Sequence, residues 1–360
     1  MIKFLDLYKQ DKKIINLISS DIKSIIKKNN FILGSEVAEF EKNFAKFCGT
    51  KYAVGCGNGT DAIVIALKSL NLPKNSEIIM PAMTYCSTAF AILNAGFKPI
   101  LVDIEKDSPL INIDEISKKI SKKTRVIMPV HLYGSVVDIK KIYSIIKNKN
   151  IYIIDDCAQA HGAKLRNKRV GSLSDISCFS LYPGKNLGAY GDAGIITTSN
   201  KKLYEKIKNY RNLGSTKKFI HTQIGINSRL DTIQAAILKR KLFLLDENNF
   251  KRSQIAKFYD ENIINNKIIK LNYSKKSVYH QYVICVKERS KFAKYLESNE
   301  IQYGYHYPKS INQIDVLKKK FKNKKFTNAE FLAKNGISLP IDPNLTRKNI
   351  VKIAKILNTF

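Results

Sequence analysis

Two stretches of this sequence place residues capable of covalent chemistry at strand ends. One runs Phe179-Ser180-Leu181-Tyr182-Pro183-Gly184-Lys185-Asn186-Leu187-Gly188 and goes on through Gly191 to Gly194. The apolar run from Ile176 to Tyr182 reads as a buried strand, and Pro183-Gly184 stops it abruptly. The stop delivers Lys185 at a strand end, ahead of glycines that let backbone come close to a bound group. A lysine held there and stripped of water can lose its proton and attack a carbonyl as a free amine. An ordinary surface lysine in a lysine-rich chain is the alternative, and spacing alone leaves both open.

The second stretch, Ile151-Tyr152-Ile153-Ile154-Asp155-Asp156-Cys157-Ala158-Gln159-Ala160-His161-Gly162, is again an apolar strand running into polar residues. Ligands of open α/β sheets bind at the carboxyl ends of strands, so Asp156 and Lys185 belong to one sheet edge. A Schiff-base lysine with a carboxylate for a pyridine nitrogen is what pyridoxal phosphate asks of its protein. Capping of a following helix would also explain Asp156. Gly55-Cys-Gly57-Asn-Gly59-Thr60-Asp61 is a glycine-rich turn that opens a helix and offers free N–H groups to an anion. It has neither the dinucleotide-binding nor the Walker spacing.

The segments Asp156-Cys-Ala-Gln159-Ala-His-Gly162, Ser180-Leu-Tyr-Pro-Gly-Lys185-Asn186 and Gly225-Ile-Asn227-Ser-Arg229-Leu-Asp231 resemble the DegT/DnrJ/EryC1/StrS sugar aminotransferases. The resemblance spans nearly the whole chain, from Phe4-Leu-Asp-Leu7 to Ser338-Leu-Pro340. It implies a fold-type I pyridoxal 5'-phosphate enzyme that aminates a nucleotide-linked keto-sugar, with L-glutamate as amino donor and no metal. By the same resemblance Lys185 carries the cofactor and Asp156 serves the pyridine nitrogen. Gly59, Thr60 and Ser180 hold the phosphate, Tyr85 stacks on the ring and Gln159 serves the ring hydroxyl region. Asn227 reaches the phosphate of a neighbouring subunit, which implies a homodimer with a shared active site. Arg229 meets a substrate anion or pairs with Asp231, and His306 and Tyr307 lie in the loop that closes over the sugar. Asn227, Arg229 and Asp231 are equally explained as a capped start of the helix expected over 232–244, and Tyr85 as a tyrosine packed at the head of its helix. After Tyr303-Gly-Tyr305-His306-Tyr307-Pro308 the chain departs from the family with Lys309-Ser-Ile-Asn312-Gln313. The motifs look most like enzymes acting on 3-oxo sugars, such as a dTDP-3-oxo-6-deoxyhexose. A 4-oxo sugar or a UDP-3-oxo-N-acetylhexosaminuronate is the alternative, with the product feeding surface polysaccharide such as O-antigen. A regulator that keeps the fold is the non-enzyme alternative, and the intact Lys185 and Asp156 speak against it.

Composition sets the frame. The chain has 360 residues, enough for a large α/β domain and a smaller one. Its opening, Met1 to Lys13, is charged and unlike a signal peptide, and no apolar run reaches membrane-spanning length. These features predict a cytoplasmic protein. The six cysteines (Cys48, Cys56, Cys86, Cys157, Cys178, Cys285) lack metal or disulfide spacing, and Cys157 reads as a small buried thiol. The net charge of +32 is spread along the chain with no nucleic-acid recognition module, so it reads as compositional bias.

The elements that must position the site follow from periodicity. Ile14 to Ile26 gives an amphipathic helix, and a second passes through Phe40, Phe44 and Phe47. Apolar stretches near 53–57, 77–82, 98–104, 125–130, 151–155, 176–182 and 194–198 read as strands. Crossover helices fit around 61–70, 85–95, 113–120 and 137–148. That rhythm predicts an α/β fold with a mainly parallel seven-stranded sheet. From residue 247 the pattern changes, giving a large domain over 1–246 and a small α+β domain over 247–360. There Tyr279 to Val286 reads as a half-buried strand, and Phe292 to Leu296 with Ile301 as a helix then a strand. His131 ends another strand and is left without a role.

Overall fold

The computed structural model describes residues 1–147, 150–322 and 324–360. Seven strands form the central sheet: β1 (Tyr52–Cys56), β2 (Glu77–Pro81), β3 (Lys98–Val102), β4 (Thr124–Ile127), β5 (Tyr152–Asp156), β6 (Ile176–Ser180) and β7 (Gly194–Thr198). Their order is β1-β7-β6-β5-β4-β2-β3. Five of them, β6-β5-β4-β2-β3, pair in parallel, and β7 lies antiparallel between β6 and β1. Because β7 opposes both neighbours, β1 runs in the same direction as β6. The ends of β1, β2, β5 and β6 therefore meet at one edge.

Alternate residues of each strand enter different cores, which is why the strands read as nearly continuous apolar runs. Ile78 and Met80 of β2 pack with the helices Gly59–Ser69 and Cys86–Asn94, whereas Ile79 faces Ile113, Ile116, Ile139 and Ile142. Likewise Cys178 of β6 joins the first layer, and Phe179 packs behind it with Phe40 and Phe44. The Phe44 and Phe179 rings meet edge to face at 5.1 Å, so truncating either would cost about 3–5 kcal/mol. The helix expected over 137–148 runs Ile139–Ile145, and position 148 lies outside the described residues.

Beyond the helix Leu245–Asn262 a second sheet forms from β8 (Ile268–Lys270), β9 (Tyr282–Val286) and β10 (Gly336–Leu339), antiparallel throughout. The helices Arg289–Ser298 and Arg347–Asn358 cover it through Phe292, Leu296, Ile350, Ile353 and Leu357. The strand expected at Ile301 is not one. It is a single bridge to Ile2, because two backbone bonds, Ile2 N to Glu300 O and Gln302 N to Ile2 O, satisfy that edge. The chain start is thus laid across the small sheet's core. No helix among the described residues is long and apolar enough to cross a membrane.

Two glycines bring the site's turns together. A Cβ on Gly59 would lie 2.6 Å from the Ser180 Cβ, and one on Gly194 would lie 2.3 Å from the Asn58 carbonyl oxygen. The start of β7 is therefore pressed against the turn that opens the helix Gly59–Ser69. Gly194→Ala should push that turn outward, lowering stability by about 1–3 kcal/mol and weakening the anion binding that the sequence predicts at residues 59 and 60. Thermal unfolding with and without phosphate-bearing cofactor checks both, and an unchanged melting temperature would contradict this packing.

Candidate active site

At the shared strand edge lies a cavity of about 810 Å³. Lys185, Asp156, Gly59, Thr60, Tyr85, Gln159, Ser180, His306 and Tyr307 all line it. Asn227 and Arg229 do not. Asn227 is exposed and bridges Asn212, while Arg229 donates to Asn212 Oδ1 at 3.1 Å instead of pairing with Asp231. Nor does Asp231 cap with its side chain, although it holds the N-cap position of the helix Thr232–Leu242.

The turn after Pro183 bonds Lys185 N to Tyr182 O at 2.9 Å and turns the side chain inward. Burial lowers the Lys185 amine to about 8, against a smaller upward pull from the Asp156 carboxylate. At pH 7 that leaves about one lysine in ten neutral, against about one in three thousand at the ordinary value. Asp156 is buried and caps no helix. Its Oδ1 accepts the Ala158 N–H at 3.1 Å, and its Oδ2 accepts the Thr88 hydroxyl at 2.8 Å. Burial raises this carboxyl, with those two donors and Lys185 opposing the rise.

Behind Asp156 the neighbouring Asp155 is fully buried and meets His131 Nε2 at 3.0 Å. His131 Nδ1 accepts the Val137 N–H at 3.1 Å, so Nε2 carries the hydrogen and donates to Asp155. Burial pushes Asp155 up, but bonds from His131, Ser174 and Ser177 outweigh it and hold the carboxyl low. The cluster His131, Asp155 and Cys157 has its histidine nitrogens committed to these bonds, and burial pushes the Cys157 thiol well up.

Gln159 links two loops of the cavity wall. Its Oε1 accepts the Tyr133 N–H at 2.8 Å, which turns Nε2 toward the Tyr307 hydroxyl at 2.9 Å. The Tyr307 ring lies 5.2 Å from that of Tyr85. Tyr133 also donates to the His306 carbonyl, and Phe4 stacks on the His306 imidazole at 5.8 Å.

A family model described as the DegT/DnrJ/EryC1/StrS aminotransferase family matches residues 12–358. The chain belongs to this family. It is 40% identical over 365 residues to a dTDP-3-amino-3,6-dideoxy-alpha-D-galactopyranose transaminase of Aneurinibacillus thermoaerophilus, covering 100% of this chain and 99% of the relative. It is 36% identical over 371 residues to a pleiotropic regulatory protein of Geobacillus stearothermophilus, covering 100% and 99%. The crystal structure of S. venezuelae DesV in complex with a ketimine intermediate superposes with a TM-score of 0.97 at 32% identity, covering 99% of this chain and 98% of that one.

For an aminotransferase of this family the cavity's residues fit a pyridoxal phosphate group by their own chemistry. Asn58 caps the helix Gly59–Ser69, with Oδ1 accepting the Asp61 N–H at 2.8 Å. Gly59 and Thr60 form the first turn beside Ser180, where free N–H groups and the helix dipole favour a phosphate. Lys185 offers an amine to an aldehyde, and Asp156 a buried anion to a protonated ring nitrogen.

Thr88, His280, Gln281 and Phe4 also line the cavity, and the sequence reading assigns none of them a role there. Thr88 lies one helical turn from Thr84, with their hydroxyls 3.0 Å apart, and that spacing was its only signal.

The lowered amine gives a signed expectation. Acylation of Lys185 in cofactor-free protein should rise with pH about a midpoint near 8, since only the neutral amine reacts. Asp156→Asn removes the upward pull, so the midpoint should fall further. A midpoint near 10.5 in the parent protein would contradict the site's electrostatics.

Proposed function

We propose that this enzyme moves an amino group from L-glutamate to a nucleotide-linked 3-oxo sugar, using pyridoxal 5'-phosphate held at Lys185. The observation that carries the reading is the lowered Lys185 amine facing the buried Asp156 carboxylate, beside the Gly59–Thr60–Ser180 anion cradle. When bound, the cofactor supplies an electron sink through which an amino group leaves one carbon and arrives on another.

The chain's own residues do the rest. Lys185 Nζ, neutral in an appreciable fraction at pH 7, would take a proton from the donor's α-carbon and hold it as an ammonium. In the second half it runs the transfer in reverse toward the sugar carbon. Asp156, oriented by Thr88 and Ala158, would supply the compensating negative charge for a protonated ring nitrogen. Tyr85 offers an aromatic face, and Gln159, fixed by Tyr133, holds Tyr307 against the cavity wall. Glutamate leaves as 2-oxoglutarate, and the sugar ketone becomes an amine.

The choice of a 3-oxo sugar draws on the relative from A. thermoaerophilus, whose name gives a 3-amino product. The 4-oxo and UDP-linked alternatives share the same chemistry at Lys185. Asn227, exposed and apart from its own cavity, is assigned to the phosphate of a second copy, making a homodimer with a shared site. Arg229, next to it, is assigned to a substrate anion. This reading keeps the large unit over 1–246 and the small unit over 247–360, with residues 1–6 packed onto the latter. It also places the enzyme in the cytoplasm, on a route to surface polysaccharide such as O-antigen.

Protein charged with L-glutamate should return to its aldehyde-form absorbance on adding 3-oxo nucleotide-sugars, and not 4-oxo ones. Return with 4-oxo sugars alone would overturn the position, and no return with any keto-sugar would favour a regulatory role. Lys185→Ala should abolish turnover, and Asp156→Asn should lower it at least about 100-fold. Multiple turnovers by Lys185→Ala would end the assignment.

A further inference from the structure

His280 and Gln281 stand in the cavity wall just before β9, and the chemistry above gives neither a part. A chain of amides fixes the imidazole from behind. Asn249 Nδ2 donates to the His161 carbonyl at 2.8 Å, so Asn249 Oδ1 turns to Asn186 and accepts its Nδ2 at 2.8 Å. Asn186 Nδ2 also donates to the Val278 carbonyl at 3.1 Å. Asn186 Oδ1 is therefore what His280 Nδ1 meets at 3.0 Å, and that nitrogen must carry the hydrogen.

Nε2 is left with a lone pair. Burial, and then the charge of Lys185, push the imidazole well below 6.5 and keep it neutral. No hydrogen bond among the described residues uses Nε2. The next residue in the cavity lining, Gln281, has its Oε1 buried without a partner. The wall next to the reacting lysine thus presents hydrogen-bond acceptors in need of a donor.

We propose that His280 Nε2 accepts a hydroxyl of the substrate sugar, one on a carbon adjoining the carbonyl that is aminated. The inference rests on the sugar-aminotransferase reading. The substrate's carbonyl and phosphates only accept; its donors are the sugar hydroxyls, the nucleoside hydroxyl and the base N–H, and only the sugar hydroxyls are carried beside the carbonyl that Lys185 works on. Lys185 lines the same cavity and is the charge that bears most on the His280 imidazole; it works on the carbonyl carbon, which places the bonded hydroxyl on a neighbouring carbon. His280 is on this account a specificity-determining residue.

The test uses cofactor-loaded protein and dTDP-6-deoxyhexose, which has a hydroxyl in place of the ketone, with its 2-deoxy and 4-deoxy counterparts. Dissociation constants come from calorimetry. His280→Asn keeps a donor for Asn186 but loses the Nε2 acceptor, while His280→Gln can restore an acceptor at that reach. His280→Asn should weaken binding of the parent sugar about 10- to 100-fold and leave one deoxy counterpart unaffected. His280→Gln should recover part of the loss, and the half-reaction with L-glutamate should stay within about twofold for both. Equal losses on all three sugars, no loss on any, or a matching loss with glutamate would overturn the inference. If the parent protein reacts with glutamate but binds no nucleotide-sugar, the sugar reading itself fails and takes this one with it.

Discussion

Removing water from one amine is the constraint on which this structure turns. Bringing Lys185 from an ordinary value near 10.5 to about 8 costs its charged form about 3 kcal/mol. That is a sizeable fraction of a domain's net stability, so the surrounding fold must hold the lysine in place against its tendency to reach water. Asp156 returns part of the cost, and it is itself buried. Two groups that would each prefer solvent are thus kept facing one another at the carboxyl edge of a sheet buried on both faces.

The scaffold does this with backbone geometry and oriented hydrogen bonds more than with bulk. Asp156 is aimed by Thr88 and the Ala158 N–H, and a second buried carboxylate behind it, Asp155, is satisfied by His131, Ser174 and Ser177. Gly59 and Gly194 let the turn that opens the helix Gly59–Ser69 meet β6 and β7 at distances that a side chain would forbid. The far wall comes from the segment leading into β9, from the loop that holds His306 and Tyr307, and from the chain start. Asp6 N–H donates to Asp342 Oδ2 at 2.9 Å, and Phe4 lies on His306. The cavity is therefore closed by segments hundreds of residues apart in sequence.

That separation explains what the sequence could and could not reveal. Lys185, Asp156 and Gly59 were legible because each follows an apolar strand and is marked by Pro, Gly or a polar break, and sheet topology then brings strand ends together. The central strands were legible for the same reason, burial on both faces leaving unbroken apolar runs. His280 carries no such mark: the sequence reads Tyr279 to Val286 as one half-buried strand, whereas β9 is only Tyr282–Val286 and buried throughout, and the tautomer of His280 is set by Asn186 and Asn249 from other elements. Ile301 misled because its apolar surroundings serve a single bridge to the chain start. Asn227 and Arg229 sit in a polar cluster that the sequence flags, yet in one chain they bond to each other's neighbourhood around Asn212 and stay outside the cavity.

The central claim is that Lys185, among all the lysines of a strongly basic chain, is the one whose amine joins the cofactor. Borohydride reduction of the pyridoxal phosphate-loaded protein followed by peptide mapping tests it most directly. The account predicts a single reduced adduct on the peptide carrying Lys185, lost in Lys185→Ala. An adduct on another lysine, or labelling spread across the surface lysines with Lys185 unmodified, would contradict it.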